Sequence, residues 1–111
     1  MVARKLKTLL PQVKAATGRD HDLDLAIAHA VAHITRDEAA PAYTASVDAC
    51  IALIEHTLPG WHWHVGYGPD GVFPYASVRK GRSQFEAQAA TVPLALLTAL
   101  LEAHLSAANG E

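Results

Sequence analysis

The stretch from Trp61 to Ala90 constrains the fold of this chain more than any other part of the sequence. It begins WHWHVGYG, continues through PDG and VFPYASVRK, and after GR it ends SQFEAQAA. Apolar and polar residues alternate in these pieces, which is the period of two that a half-buried β-strand requires. Glycine, proline and aspartate separate the first two pieces, as tight turns require. The pattern predicts an antiparallel meander of two or three strands.

The first predicted strand has two different faces. Its polar face carries His62 and His64, whereas its apolar face carries Trp61, Trp63, Val65 and Tyr67. The second strand is predicted over residues 72–80, and Pro74 within it favours an edge position or a bulge. Residues 83–90 alternate as a third, half-buried strand, although their Ala, Glu and Gln content also permits a helix.

Two helices are predicted before the meander. The first starts near Thr8, so that Pro11 falls in its first turn, and it stops at Gly18. The second covers about 21–35 and is capped by Asp20. Their apolar stripes are Leu6, Leu9, Leu10 and Val13 in the first helix, and Leu23, Ile27, Ala30, Val31 and Ile34 in the second.

Two further helices flank the meander directly. The third is capped by Thr44 or Ser46 and ends at Pro59-Gly60, and the last is capped by Thr91. A polar loop over residues 36–41 precedes the third helix. Trp63 of the first strand is expected at the centre of the core with Ile54, Leu97 and Leu101. The predicted stripes are Val47, Cys50, Ile51, Ile54 and Leu58, and then Leu94, Leu97, Leu101 and Leu105.

Length and composition place these elements in one folded unit. The chain has 111 residues, of which 50% are hydrophobic and 18% charged, so we expect one packed domain over residues 1–111. The fold class is therefore α/β (α+β), a single-domain α-β-α sandwich with about four helices around the short meander. We expect no membrane span, because no apolar run approaches the roughly 20 residues that a bilayer requires. The N-terminus lacks a secretory signal and the single Cys50 suits a reducing compartment, so a cytoplasmic location is expected.

Three segments of the chain together resemble a known family. They are AATGRDHDLDLAIA, PAYTASVDACIALIE and AATVPLALLTALLEA, and a tryptophan-bearing strand lies between the second and third. The chain resembles the phage ABA-sandwich domain proteins, which are short proteins encoded by bacteriophages and prophages. The most specific matches are the helix entries at 43–46, with Asp48, and at 91–96. The resemblance implies a three-layer fold and a phage-related setting inside a host bacterium, but it implies no chemistry.

Histidine is the unusual residue of this composition, with seven in the chain. His29 and His33 lie four residues apart with Asp22 on the same helical side, which is a spacing that zinc ligands use. His62 and His64 share a sheet face. Solvated or packed histidines explain both pairs without a metal, so we predict no metal or other cofactor and no enzymatic activity. A histidine-dependent metal-binding protein or hydrolase is the first alternative.

A nucleic-acid-binding accessory factor is the second alternative. Arg79, Lys80 and Arg82 flank a hairpin turn, and aromatic residues of the strands are able to stack on bases. The net charge of −2 argues against this function, because nucleic-acid binders usually present a basic face. Cys50 lies on an apolar stripe with no base beside it in sequence, so a buried, unreactive thiol is expected.

The preferred function is a small phage or prophage accessory protein that binds another protein without catalysis. Its partner would be a host or phage protein, and it would act as an inhibitor of a host defence system or as an assembly factor. In the last helix, two leucines fall outside the narrow core stripe and indicate a homodimer or a partner-binding face. The candidate interaction surface comprises Arg36, Asp37, Glu38, Arg79, Lys80, Arg82, Leu96 and Leu100.

Overall fold

Four helices and three strands make up the described part of the chain. The computed structural model describes residues 2–34, 40–68, 71 and 73–108, and for residues 2 and 3 the backbone alone. The predicted mixed α+β class, the four helices and the antiparallel meander are confirmed. The elements are α1 (Val2–Ala15), α2 (His21–Ala30), α3 (Val47–Thr57), β1 (His62–Tyr67), β2 (Pro74–Lys80), β3 (Ser83–Gln88) and α4 (Val92–Ala108).

The last helix, α4, lies at the centre of the molecule. Every residue from Leu94 to Leu101 is buried, and a helix that is apolar on all sides must be covered on all sides. β2 and β3 cover one side of α4, while α1 and α3 pack against it from the helical side. α2 packs against α1. The order of layers is therefore sheet, α4 and then the remaining helices.

This order differs from the expected placement of helices on both faces of the sheet. In the part of the chain that the structure describes, no helix covers the sheet face that carries His62 and His64, and both side chains are exposed. The physical reason is that α4 is apolar on all sides, so the other helices pack on the side of α4 that faces away from the sheet. The outer face of the sheet is polar and needs no cover.

The strands pair in the order β1-β2-β3, and their register places the apolar alternation against α4. Val65 lies opposite Ala76, and Ala76 lies opposite Ala87. Residues 83–88 form a strand and not the alternative helix. Pro74 does not mark an edge, because β2 is the central strand. Pro74 is the first residue of β2, so its missing N–H removes only the terminal hydrogen bond of the strand. The Pro74 carbonyl still accepts from Ala89 N–H at 3.3 Å.

Three of the four residues expected at the centre of the core are buried. Ile54, Leu97 and Leu101 are buried, but Trp63 is 41% exposed. The expectation that Trp63 is almost fully buried was therefore wrong, although its face was assigned correctly. α4 packs mainly over β2 and β3 and reaches β1 only marginally, so the apolar side of β1 is incompletely covered.

The first helix starts six residues earlier than predicted. α1 begins at Val2, and Pro11 lies inside it and not in its first turn. Proline at this point removes the bond to the Lys7 carbonyl. The helix nevertheless continues to Ala15, because one uninterrupted stripe on both sides of the proline is buried. This stripe consists of Leu6, Leu9 and Val13.

The second helix ends earlier than predicted, and two caps are as expected. Asp20 caps α2 by accepting from Leu23 N–H at 3.1 Å. The helix stops at Ala30 and not at residue 35, because His33 takes a left-handed conformation with φ of 59°. Of the two residues proposed to cap α3, Ser46 is the cap and accepts from Ala49 N–H at 3.1 Å.

The central position of α4 leads to a stability prediction. Leu97→Ala should lower the free energy of unfolding by about 2–5 kcal/mol, since the cavity that it leaves is closed on every side. Urea denaturation followed by circular dichroism measures the change. Leu105→Ala, at a half-buried position of the same helix, is the matched control and should cost clearly less. Equal losses in the two variants would contradict the central placement of α4.

Candidate interaction surface

The sheet face that points away from α4 is open to solvent. Its side chains form three rows across the strands, since residues of β1, β2 and β3 that are paired in register lie side by side. We call these nine residues the open face. The rows are His62, Arg79 and Gln84; His64, Ser77 and Glu86; and Gly66, Tyr75 and Gln88.

Contacts within the open face order several of its side chains. Gln84 Nε2 donates to Glu86 Oε2 at 3.0 Å, and the rings of His64 and Tyr75 lie 5.7 Å apart between centroids. The Tyr75 ring also lies over Gly66, where a Cβ would approach Tyr75 Cε1 to 3.3 Å. Glycine at this position therefore leaves room for the tyrosine ring on the sheet surface.

The open face presents donors and acceptors side by side. Arg79 offers guanidinium donors, Glu86 offers a carboxylate, and each imidazole of His62 and His64 offers one donor and one acceptor when neutral. A shallow depression of about 310 Å³ lies among His62, Trp63, His64, Ser77, Arg79 and Gln84. Polar, solvent-accessible groups of this kind are typical of the rim of a protein–protein interface.

Along the outer edge of β1, several backbone groups have no hydrogen-bond partner among the described residues. Gly68 N–H donates to the Phe73 carbonyl at 2.8 Å, and hydrogen-bonded positions alternate along an antiparallel strand. The N–H and carbonyl groups of Trp63, Val65 and Tyr67 consequently point outward, away from β2. β1 contains no Lys, Arg, Asp, Glu or Pro, which are residues that commonly protect an edge strand from pairing.

Exposed aromatic side chains accompany this edge. Tyr67 is 59% exposed, Trp63 is 41% exposed, and Phe73 in the following turn is 52% exposed. These three are the exposed large apolar side chains of the described residues. Trp63 and Tyr67 lie on the α4 side of β1, beyond the reach of the helix.

The predicted surface residues divide into three groups. Arg79, Lys80 and Arg82 are exposed at the β2–β3 turn, and the end of the Lys80 side chain lies beside Gly60. Arg36, Asp37 and Glu38 lie outside the described residues. The third group is the pair of leucines in α4.

Leu96 and Leu100 do not belong to an interaction surface. Both are 0% exposed, because α4 is packed between the sheet and α1 and α3 and has no spare apolar side. The prediction of a homodimer or partner-binding face through this helix was therefore wrong. Among the described residues, the open face and the β1 edge are left uncovered by the helices, and of these surfaces sequence reasoning had selected Arg79 alone. Alternation had already separated the faces of β1, but it does not reveal which of them a helix covers.

The His29 and His33 pair does not form the predicted helical arrangement. His29 lies in the last turn of α2, whereas His33 follows the end of the helix. The i,i+4 geometry that brings two imidazoles together is consequently lost. Among the described residues, no group of three or more His, Cys, Asp or Glu side chains is placed to hold a metal ion.

A different histidine is involved in packing between helices. His104 of α4 makes a 3.0 Å hydrogen bond through Nε2 to Thr57 Oγ1, and Thr57 Oγ1 donates to the Leu53 carbonyl at 2.7 Å. Since the single hydroxyl proton is used there, Nε2 of His104 must donate. Burial, and next the charge of His33, lower the pKa of His104. Residues 57 and 104 are far apart in sequence, and no local pattern indicates this contact.

The lowered pKa of His104 predicts a loss of stability in acid. The unfolded chain takes up this proton near pH 6.5, the ordinary value, but the folded chain takes it up only at lower pH. The contribution to stability is therefore complete above pH 6.5 and is lost as the pH falls through the folded pKa. Melting temperatures between pH 8 and pH 5 measure it. His104→Gln should reduce the decline, whereas His21→Gln, at an exposed position, should retain it. An unchanged decline in His104→Gln would contradict this assignment.

A buried polar network joins α2 to the start of α3. Asp24 is 1% exposed, and its Oδ1 accepts from Thr44 N–H at 2.7 Å and from Thr44 Oγ1 at 2.8 Å. Thr44 Oγ1 in turn accepts from Asp20 N–H at 2.8 Å. No hydrogen-bond partner is found for Asp24 Oδ2 among the described residues. The network connects two of the three segments on which the family resemblance rests.

Cys50 lies beside this network and is buried. Its thiol donates to the Tyr43 carbonyl at 3.2 Å. Burial, and then the nearby charge of Asp24, raise the pKa of Cys50 to about 12. Burial also raises the pKa of Tyr43. The predicted burial of Cys50 is confirmed, and its environment disfavours the nucleophilic thiolate.

The environment of Cys50 predicts slow labelling of the folded protein. A pKa near 12, compared with the ordinary 9.0, leaves roughly a thousandfold less thiolate at pH 8. Reaction with a chromogenic disulfide reagent should be slow in native buffer and rapid in denaturant. The destabilised Leu97→Ala variant should react faster than the parent chain, because labelling then follows transient unfolding. Native labelling as fast as that of the unfolded chain would contradict the burial.

Comparisons with known proteins give no identity for the chain. No protein-family model matches it, and neither does any curated protein or solved structure. Within the described residues, no helix combines the length and the apolar character needed to cross a membrane.

Proposed function

We propose that this chain is a small, non-enzymatic protein that acts by binding another protein through its open face. The observation that carries the proposal is the sheet itself: one face is packed on α4, and the other presents nine residues without a covering helix in the described part of the chain. Antiparallel sheets tolerate one solvated face. Here that face also carries Tyr75 and Arg79, and tyrosine and arginine are enriched at protein interfaces.

The charge of the open face favours a protein partner over a nucleic acid. Arg79 is balanced by Glu86 two strand positions away, and Gln84 is already bonded to that carboxylate. A face that follows a phosphate backbone needs several cations in a row. The exposed cations Arg79, Lys80 and Arg82 are confined to one end of the β2–β3 hairpin, where they suit acidic side chains at the rim of a protein partner.

The resemblance of three segments to phage ABA-sandwich proteins supports a phage or prophage setting. In that setting the partner is a host or phage protein in the cytoplasm of the bacterium. The two roles that fit are inhibition of a host defence system and assistance in phage assembly. Both roles require a surface that binds another protein, and neither role requires a catalytic group.

Site-specific photocrosslinking tests this proposal, because it captures whichever protein lies against the chosen position. A photoreactive amino acid is placed at Gln84 or Glu86 of the open face, or at Ala52 or Glu55 on the exposed side of α3, and the variants are irradiated in the host bacterium. We expect the same discrete protein adduct from both sheet positions and none from the α3 positions, since a bound partner covers one surface.

Two outcomes would contradict the proposal. Adducts of equal yield from α3 and from the sheet would show that the open face is not selective. An adduct at Gln84 that disappears on nuclease treatment would instead support the nucleic-acid alternative. Arg79→Glu, at an exposed position, should weaken the protein adduct, while Lys7→Glu on α1 is the matched charge control and should leave it unchanged.

A further inference from the structure

The outer edge of β1 is a template for one more strand. Trp63, Val65 and Tyr67 each direct an N–H and a carbonyl away from β2, as the Gly68 to Phe73 hydrogen bond establishes. The six residues of β1 include no proline and no Lys, Arg, Asp or Glu. Unprotected edges of this kind pair with another extended chain.

The sequence of β1 is complementary to itself in one antiparallel register. When Val65 lies opposite Val65 of a second copy, Trp63 of each copy lies opposite Tyr67 of the other. All three outward positions are then hydrogen-bonded pairs, so six backbone hydrogen bonds form across the two-fold axis. A shift by two residues would place either Trp63 or Tyr67 of each chain opposite a residue outside β1.

The opposite edge of the sheet lacks this complementarity. On β3 the backbone groups of Gln84, Glu86 and Gln88 point away from β2. The backbone groups of the alternating residues, Phe85, Ala87 and Ala89, point toward β2. Symmetric pairing that uses all three would place Glu86 directly opposite Glu86 of the second copy. Like charges in a cross-strand pair are destabilising. The two edges therefore differ, and only β1 suits a second copy of the chain.

We propose that the chain forms a reversible homodimer in which β1 pairs antiparallel with β1 of a second copy, centred on Val65, to give one continuous six-stranded sheet. This arrangement covers Trp63 and Tyr67, which the fold leaves 41% and 59% exposed. It also places the two open faces side by side on one surface of the joined sheet. The proposal concerns the chain alone and does not depend on the identity of any other partner.

The exposed area indicates a weak dimer. The exposed fractions of Trp63 and Tyr67 add up to about the whole accessible area of one aromatic side chain, which is roughly 200 Å² of exposed surface per copy. With the backbone and neighbouring side chains added, the total remains near or below the roughly 1,200 Å² at which stable interfaces begin. We therefore expect a dissociation constant in the micromolar range or weaker, on the order of 10 μM to 100 μM.

Analytical ultracentrifugation of the purified chain tests the dimer. From about 1 μM to about 500 μM, the average mass should rise from one chain toward two, as expected for a dissociation constant in this range. Tyr67→Lys should raise the dissociation constant at least tenfold, because it removes the ring and adds a charge at the edge. Phe73→Lys removes an equally exposed ring outside β1 and should change the constant by about twofold or less. Circular dichroism verifies that both variants are folded.

Cysteine pairing tests the register independently. Trp63→Cys and Tyr67→Cys chains, each inert alone, should form a disulfide-linked dimer when mixed and oxidised, since paired positions lie within about 4.4–6.8 Å between Cα atoms. Disulfides within either variant alone would overturn the register. A chain that stays monomeric at the highest concentration, or a Tyr67→Lys variant that dimerises as well as Phe73→Lys, would overturn the dimer. None of these results bears on photocrosslinking at the open face.

Discussion

A helix that is apolar on every side is the constraint on which this fold depends. α4 buries all residues from Leu94 to Leu101, and at roughly 25 cal/mol per Å² their exposure to water would cost more than the net stability of a small domain. The sheet and the helices α1 and α3 satisfy that requirement from opposite sides. The polar outer face of the sheet follows from the same constraint. α1 and α3 pack on α4 and α2 packs on α1, so none of the described helices is left to cover the far side of the strands.

The width of one helix explains why the candidate surface lies where it does. With its side chains a helix is about 10–12 Å across, and strands are spaced about 4.8 Å apart. A single helix therefore covers about two strands well, and here these are β2 and β3. β1 extends beyond it, so Trp63 and Tyr67 stay partly in water although they lie on the apolar side of the sheet. The exposed aromatic edge and the buried core thus have one cause, and the edge is not an accidental patch.

Sequence patterns predicted the local features of this structure. They failed where burial and contacts depend on segments that are distant in sequence. Alternation assigned Trp63 and His64 to their correct faces, since the period of a strand is local. Asp20 was recognised as a cap for the same reason. By contrast, Leu96 and Leu100 are equally compatible with an interface and with a central helix, and only the positions of the sheet and of α1 distinguish the two. The contact between Thr57 and His104 joins α3 to α4 across 47 residues, a distance at which neither periodicity nor capping carries information.

The segments that resemble a family and the surface proposed to bind a partner are separate parts of the molecule. The three segments that were predicted to resemble a family form most of α2, α3 and α4, and two of them meet in the buried bonds between Asp24 and Thr44. Their residue types are required by capping, packing and the burial of a carboxylate, all of which serve the fold. The open face lies on β1, β2 and β3 between the second and third segments. Its outward side chains are not needed for the core, so substitutions there would change the partner without changing the fold. The residues that serve the fold and the residues that would meet a partner are therefore different, and the function must be established from the sheet surface of this chain.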